Sequence, residues 1–230
     1  MKKIKLLLFL TVLISVKLSA QTYHIDTTSI TFENKLRPCY SVSYDADPKT
    51  VKKGWSKFLK KNYKIKTKGI GLLTDKDLVN SQDVTINSIS DKRMNIYARI
   101  TDFSGGSDMK YFMSFGYDFF IGPDNYAKEF EGMKKLLNDF SVEFLNKYYG
   151  DETSQILKQI KHYEKDIKKD NKSIKKNVRR SRKASSAEGT GLEARNNTHN
   201  SDIKSTQEKI DALQKKLEDI KVKQGGITPN

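Results

Sequence analysis

Cysteine is almost absent from this chain, since Cys39 is the only one among 230 residues. A chain with a single thiol cannot close an internal disulfide, so packing must stabilise it. Alternation along a β-prone segment places Cys39 on the side of Ser41 and Ser43, opposite Tyr40 and Tyr44. We expect an inert, partly covered thiol, and an intermolecular disulfide is the alternative.

The chain is also poor in apolar residues, with 36% hydrophobic and 31% charged residues and a formal net charge of +15. Such a hydrophobic share is low for a fully globular protein. The composition therefore predicts one compact part, which holds a core, and one solvated part.

One long apolar run, Leu6–Val16, lies near the start, after three lysines and before the small residues Ser19 and Ala20. A basic start, a short apolar core and small residues before a cleavage point are typical of a secretory signal peptide. A run of eleven residues is too short to span about 30 Å of hydrocarbon as a helix. We expect residues 1–20 to be removed, leaving an exported protein, periplasmic or secreted, without a transmembrane segment.

The sequence lacks motifs that are typical of catalytic or metal-binding sites. His24, His162 and His199 lie far apart and have no metal-ligand neighbour at helical or loop spacing. The segment Gly69-Ile70-Gly71 lacks the third glycine and the following helix of a nucleotide-binding loop. The sequence predicts no metal, no cofactor and no enzymatic activity.

The strongest pattern present is an alternation along Met109–Gly122. Every odd position from Met109 to Ile121 is large and apolar or aromatic, whereas the even positions are mixed. This period of two predicts a strand with one fully buried face at the centre of the core.

Flanking patterns complete an α+β fold over residues 21–150. Asp47-Pro48 predicts the start of an amphipathic helix to Lys61, and a second apolar stripe runs from Phe130 to Tyr148. Further strands are predicted at Thr28–Phe32, Cys39–Tyr44, Tyr63–Thr67, Val84–Ile89 and Met94–Phe103. We expect a two-layer sandwich in the order β-α-β-β-β-α, with one extra N-terminal strand as an open alternative, and a mainly antiparallel sheet with both helices on one face.

The last third of the chain has the composition of a coiled coil. We predict a helix over residues 151–180, beginning after a helix end at Gly150, a flexible linker over 181–200 and a second helix over 201–224. A disordered tail follows at 225–230. The heptad-spaced seams are Ile156, Ile160, Tyr163, Ile167 and Ile174 in the first helix, and Ile203, Ile210, Leu213, Leu217 and Ile220 in the second. An antiparallel hairpin within one chain is favoured over pairing between copies.

Two groups of residues are candidate binding sites. A possible polyanion contact comprises Lys175, Lys176, Arg179, Arg180, Arg182 and Lys183. A solvated helix end, favoured by the helix dipole, is the alternative for this group. A possible aromatic binding face comprises Tyr97, Phe103, Phe112 and Phe120, which point away from the predicted helices. The alternative is cover by the N-terminal segment or by a second copy.

The sequence favours an exported, non-enzymatic binding or assembly module of the cell envelope. Its partners are a protein or a second copy, through the coiled coil or the sheet face, and an anionic envelope surface, through the basic run. Export argues against nucleic acid, and no aromatic residues are interleaved for base stacking. A periplasmic holdase-type chaperone is the alternative from another class, and an enzyme of unknown type comes third.

Overall fold

The computed structural model describes residues 22–69 and 77–228. The expected signal peptide, residues 1–20, lies outside the described residues. The chain divides into two compact units. Of the described residues, those up to Leu145 and those from Lys223 onward form the first unit, and Asn146–Val222 forms the second unit.

The described residues form five strands and three helices, and the predicted α+β architecture is confirmed. In chain order they are β1 (Asp26–Phe32), β2 (Lys35–Tyr44), α1 (Pro48–Tyr63), β3 (Leu78–Ile86), β4 (Ser90–Phe103), β5 (Gly106–Ser114), α2 (Ala127–Ser181) and α3 (Ser186–Gly225). Neighbouring strands are antiparallel, in the order β1-β2-β5-β4-β3 across the sheet.

Helix α1 begins where the sequence predicted. The Asp47 carboxylate accepts a hydrogen bond from the backbone N–H of Thr50 at 3.0 Å, and Pro48 takes the first helical position, which needs no N–H. The predicted apolar stripe is buried, and it consists of Val51, Trp55, Phe58 and Leu59. Capping and burial therefore fix the start and the orientation of this helix.

The main core lies between one face of the sheet and the helices α1 and α2. Tyr111 and Met113 of β5 are fully buried on this face. Trp55 packs edge-on against Tyr111, with ring centroids 5.3 Å apart, and Tyr40 of β2 stacks on Phe130 of α2 at 4.2 Å. Burying each such side chain contributes roughly 1.5–3 kcal/mol, so this core is a large source of stability for the first unit.

The central strand ends earlier than the alternation predicted. β5 stops at Ser114, the chain turns at Gly116, whose φ is +98°, and Phe120 returns to form a bridge with Ser114. Tyr117 is 96% exposed and Phe119 is 60% exposed, so the prediction of buried odd positions was wrong in this turn. Aromatic residues occupy both odd and even positions in this segment, so the sequence pattern gave no sign of the turn.

The predicted strand at Tyr63–Thr67 was wrong. Helix α1 continues through Tyr63, and the described residues that follow it form a single bridge, between Lys68 and Asn80. One edge strand of the sheet is β3, which begins at Leu78, before the strand predicted at Val84–Ile89, and ends at Ile86.

The second unit is an antiparallel hairpin formed by α2 and α3, and the predicted closure within one chain is confirmed. Three polar contacts fix its register: Asn177 Nδ2 to Asn196 Oδ1 at 3.0 Å, His199 Nδ1 to Asp170 Oδ1 at 2.9 Å, and Lys216 Nζ to Glu152 Oε1 at 3.1 Å. Residue numbers fall along α2 as they rise along α3, as an antiparallel pair requires. The seam buries Ile156, Ile160, Leu192, Ile210 and Ile220, while Tyr163, Ile167, Ile174, Ile203, Leu213 and Leu217 are half-buried.

Helix boundaries differ from those predicted in this unit. α2 continues past Gly150, because one helical glycine costs only about 1 kcal/mol relative to alanine. α3 begins at Ser186, so the expected linker over 181–200 was wrong along most of its length. Its composition favours coil, but Leu192 is buried and Asn196 is paired across the hairpin, and such contacts override weak propensities.

The end of the chain is bound within the first unit, contrary to the disordered tail predicted at 225–230. The backbone N–H of Thr22 donates to the Gly226 carbonyl at 3.1 Å, and the Tyr23 hydroxyl donates to the Thr228 carbonyl at 3.0 Å. Residues 229–230 lie outside the described part of the chain.

Candidate functional site

The predicted polyanion site lies at the closed end of the hairpin, where α2 ends and α3 begins. Seven basic residues from the last turns of α2 and the following loop are grouped there: Lys172, Lys175, Lys176, Arg179, Arg180, Arg182 and Lys183. We call this group the basic tip. Six of its members were predicted from the sequence, and Lys172 was missed although it precedes Lys175 and Lys176 by three and four residues, the spacing of one helical face.

A cavity of about 1150 Å³ opens at the basic tip. The seven basic side chains line it together with Ala184 and Glu188, so a single carboxylate faces seven cations. All seven basic residues are exposed. The cavity is therefore strongly electropositive and open to a large ligand or a surface.

Helical geometry points the basic side chains away from the hairpin seam. Lys172, Lys176 and Arg179 recur at intervals of three and four and share one face of α2. Ile174 and Asn177 belong to the seam side and are half-buried. Pairing of the two helices therefore leaves the basic face open.

The net charge of the second unit is concentrated at the basic tip. Residues 146–222 contain 19 Lys and Arg against 12 Asp and Glu. Seven of the basic residues and none of the acidic ones fall within 172–183. The remaining twelve basic residues and the twelve acidic residues of the unit therefore balance in charge. The ion pairs of this unit lie elsewhere, and among the described residues no carboxylate pairs with the tip. The surplus of seven is left without internal neutralisation.

The basic tip is unfavourable for the isolated helix. The dipole at a helix C-terminus favours cations, but it amounts to only about half an elementary charge. Like charges three or four residues apart, such as Lys172 with Lys176, destabilise a helix by roughly 0.2–0.5 kcal/mol per pair. The dipole explains one or two cations at this end and does not account for seven.

A helix cap at Ser185 fixes the position of the turn between α2 and α3 at the basic tip. Ser185 caps the start of α3: its hydroxyl accepts from the backbone N–H of Glu188 at 3.5 Å, and its carbonyl accepts from the backbone N–H of Gly189 at 2.8 Å. Ser185-Ser186-Ala187-Glu188 has the Ser-x-x-Glu pattern of a capping box, a signal that would have located this helix start. The cap fixes the loop that carries Arg182 and Lys183.

The predicted aromatic face is only partly assembled. Tyr97 stacks on Phe112 with ring centroids 5.1 Å apart, Phe120 lies beside both, and Phe32 of β1 packs against all three. Phe112 and Phe120 are buried with Phe32 of β1 packed against them, so these two residues are not exposed and fit the alternative of cover by the N-terminal segment. Phe103 is 57% exposed and lies outside this cluster.

Two further properties of the described residues bear on function. Within residues 22–69 and 77–228, no group of three or more His, Cys, Asp or Glu side chains is placed to hold a metal ion. No helix in the same ranges is both long enough and apolar enough to cross a membrane.

Comparisons with protein-family models, with curated proteins and with solved structures found no match to this chain. Functional conclusions therefore rest on the geometry and charge of its own residues.

Proposed function

We propose that this protein is an exported, non-enzymatic binding module that attaches to an anionic surface of the cell envelope through its basic tip. The observation that carries this proposal is the concentration of seven exposed cations at one end of the helical hairpin, whose remaining charges balance. Phosphate-bearing lipid headgroups are the surface that we favour.

The charge and the exposure of the basic tip support lipid headgroups as its ligand. Clusters of four to eight Lys and Arg bind anionic membranes with about 1 kcal/mol per side chain near the surface. Val178, which is 41% exposed, lies between the basic residues and provides an apolar side chain for the headgroup boundary. Arg179 and Arg180 add guanidinium groups, whose planar fork matches phosphate oxygens.

Closure of the hairpin within one chain also supports the tip as the binding surface. The seam residues Ile210 and Ile220 are buried inside the chain, so the coiled coil does not offer them to a second protein. The signal-peptide pattern of residues 1–20 supports an envelope location, where anionic headgroups are abundant.

Binding to lipid vesicles tests this proposal. The chain beginning at Gln21 should sediment with phosphatidylcholine vesicles that contain phosphatidylglycerol and remain free when phosphatidylcholine is alone. Binding should weaken as salt rises from about 0.05 to 0.5 M, because the screening length shrinks several-fold. Changing Lys176, Arg179 and Lys183 to Gln should reduce the affinity roughly 100-fold, at about 1 kcal/mol for each charge.

A matched control separates the tip from net charge. Changing Lys204, Lys215 and Lys221, which are exposed on α3, to Gln removes the same three charges away from the tip. This control should retain most of the binding. Failure of the unmodified chain to bind anionic vesicles, or an equal loss in the control, would overturn the proposal. Suppression of the aggregation of an unfolded protein without vesicle binding would favour the holdase alternative.

A further inference from the structure

A second concave site lies in the first unit, on the sheet face opposite α1 and α2. Its cavity of about 480 Å³ is lined by Glu33, Asn95, Tyr97, Tyr117, Asp118 and Phe120. This volume falls in the range of small-molecule sites, roughly 300–1,000 Å³. We propose that the cavity binds one unit of a neutral carbohydrate. This site shares no residue with the basic tip and does not depend on it.

Aromatic rings provide the stacking surface that a sugar requires. Tyr97 is held rigidly, since it stacks on Phe112 at an interplanar angle of 14° and contacts Phe32 at 5.0 Å. The face of an aromatic ring carries negative charge density and attracts the polarised C–H groups of a pyranose ring. Tyr97 therefore offers a fixed ring at one wall of the cavity.

Tyr117 forms an exposed aromatic wall of the same cavity. Its side chain is 96% exposed, and its φ of +46° is unfavourable for a residue with a Cβ atom. The turn that holds it is closed by hydrogen bonds from Phe119 N–H to the Gly116 carbonyl at 3.1 Å and from Phe115 N–H to the Phe119 carbonyl at 2.9 Å. A tyrosine presented in this way makes little contact within the fold, and a ligand in the cavity would cover it.

A fixed carboxylate supplies hydrogen-bond acceptors at the rim. Asp118 Oδ1 accepts from Arg37 Nη2 at 2.6 Å, and Oδ2 accepts from the Lys35 ammonium. The hydrogen bonds from Lys35 and Arg37 lower the pKa of the Asp118 carboxyl, so it is ionised at neutral pH. Each carboxylate oxygen keeps a further lone pair for a sugar hydroxyl.

A fixed amide supplies the donor. Asn95 Oδ1 accepts from the backbone N–H of Asp83 at 3.0 Å, which settles the orientation of the amide because a backbone N–H only donates. Among the described residues the Asn95 NH₂ group has no hydrogen-bond acceptor, so it is available for a ligand in the cavity. A sugar hydroxyl donates and accepts at once, and therefore matches this combination of Asn95 with Asp118.

Charge balance around the cavity favours a neutral ligand. Glu33 and Asp118 carry negative charge, and Lys35 and Arg37 beside Asp118 carry positive charge. The rim therefore has no net charge, and an acidic or basic sugar would gain little from long-range attraction.

The experiment is a titration of the full chain with three neutral trisaccharides, maltotriose, cellotriose and triacetylchitotriose, followed by NMR saturation transfer and calorimetry. A sulfated heparin disaccharide is the charged comparison. At least one neutral trisaccharide should bind saturably, and Tyr117→Ala and Asn95→Ala should each weaken that binding at least about tenfold.

Phe119→Ala is the matched control, because Phe119 is exposed in the same turn but does not line the cavity. It should leave the affinity unchanged, and thermal unfolding should show that all three variants are folded. The proposal is overturned if none of the neutral trisaccharides binds, if Phe119→Ala weakens binding as much as Tyr117→Ala, or if the sulfated disaccharide binds more tightly than all three.

Discussion

Cys39 is buried in a small core on the outer face of the sheet, together with Ile30, Phe112 and Phe120. Its side chain has no exposed surface, and burial raises the pKa of the thiol to about 11. A protonated, inaccessible thiol neither attacks nor is attacked. The inert thiol predicted from the sequence fits this environment, and the intermolecular disulfide would require the fold to open.

Buried phenols and the buried thiol should make the protein less stable in alkaline solution. Burial raises the pKa of Tyr40, Tyr44 and Tyr111 above the ordinary value of about 10. Above about pH 9 the unfolded chain loses these protons while the folded chain keeps them, so the free energy of unfolding falls as pH rises.

Two measurements check this prediction. At pH of about 8 the folded protein should leave Cys39 unmodified by a disulfide reagent that reacts at once with the denatured chain. Tyrosinate absorbance should show fewer than eleven ionised tyrosines until the protein unfolds. Ionisation of all eleven near pH 10, without unfolding, would show that these phenols are accessible.

Helix α1 approaches α2 closely at Gly54. A Cβ atom there would lie 2.6 Å from Cδ2 and 2.8 Å from Cε2 of Phe144, whose ring is stacked on Phe140. Gly150, in α2, has no neighbouring atom within 4 Å of the corresponding position. The same substitution should therefore have opposite effects at the two sites.

Gly54→Ala should destabilise the first unit by about 1–3 kcal/mol through overpacking, partly offset by about 1 kcal/mol of helix propensity. Gly150→Ala should stabilise the hairpin by about 0.5–1 kcal/mol. Urea unfolding can follow the first unit by the fluorescence of Trp55, the single tryptophan, and the helices by circular dichroism. Equal effects of the two substitutions would mean that the packing at Gly54 is looser than described.

Sequence patterns predicted most of the helices and strands, because the interactions that form them lie between residues that are close in the sequence. The Asp47-Pro48 cap and the stripe from Val51 to Leu59 lie within one helix, and the heptads of α2 and α3 repeat within each helix. The end of β5 and the helical state of residues 186–200 depend instead on distant partners, such as Asn177 for Asn196. The sequence pattern of one segment does not reveal its contacts with a distant segment.

The two candidate sites also differ in whether their residues are close together in the sequence. Six of the seven residues of the basic tip could be predicted because they are neighbours in the sequence. The carbohydrate cavity could not, since Glu33, Asn95 and Tyr117 come from a hairpin turn, a strand and a later turn that only the sheet brings together. The sequence suggested Tyr97 and Phe120 as an aromatic face, without the polar groups around them.

The first unit depends on the end of the chain. Besides the Thr228 carbonyl, the buried Tyr23 hydroxyl lies 2.6 Å from Asn138 Oδ1. Deleting residues 226–230 removes the bonds to Thr22 and Tyr23, each worth about 0.5–1.5 kcal/mol, and uncovers part of Tyr23. We expect a loss of about 1–3 kcal/mol and a melting temperature lower by several degrees.

Lys223→Ala is the control for this deletion. It removes the ion pair between Lys223 and Asp45, which is partly exposed, and should change stability by less than about 1 kcal/mol. An unchanged melting temperature after the deletion would show that the terminal residues contribute nothing to the first unit.

The bond from Tyr23 to Thr228 joins residues 205 positions apart, and this has a consequence for the order of folding. A ribosome releases everything up to Leu145 long before Gly226 emerges, so the nascent first unit lacks its closing residues. Once Glu152 and Lys216 pair, 64 positions are removed from the loop that must close, which lowers its entropic cost. We expect the first unit to be about 1–3 kcal/mol less stable until residues 226–228 emerge and bind Thr22 and Tyr23, so its folding becomes complete only late in synthesis.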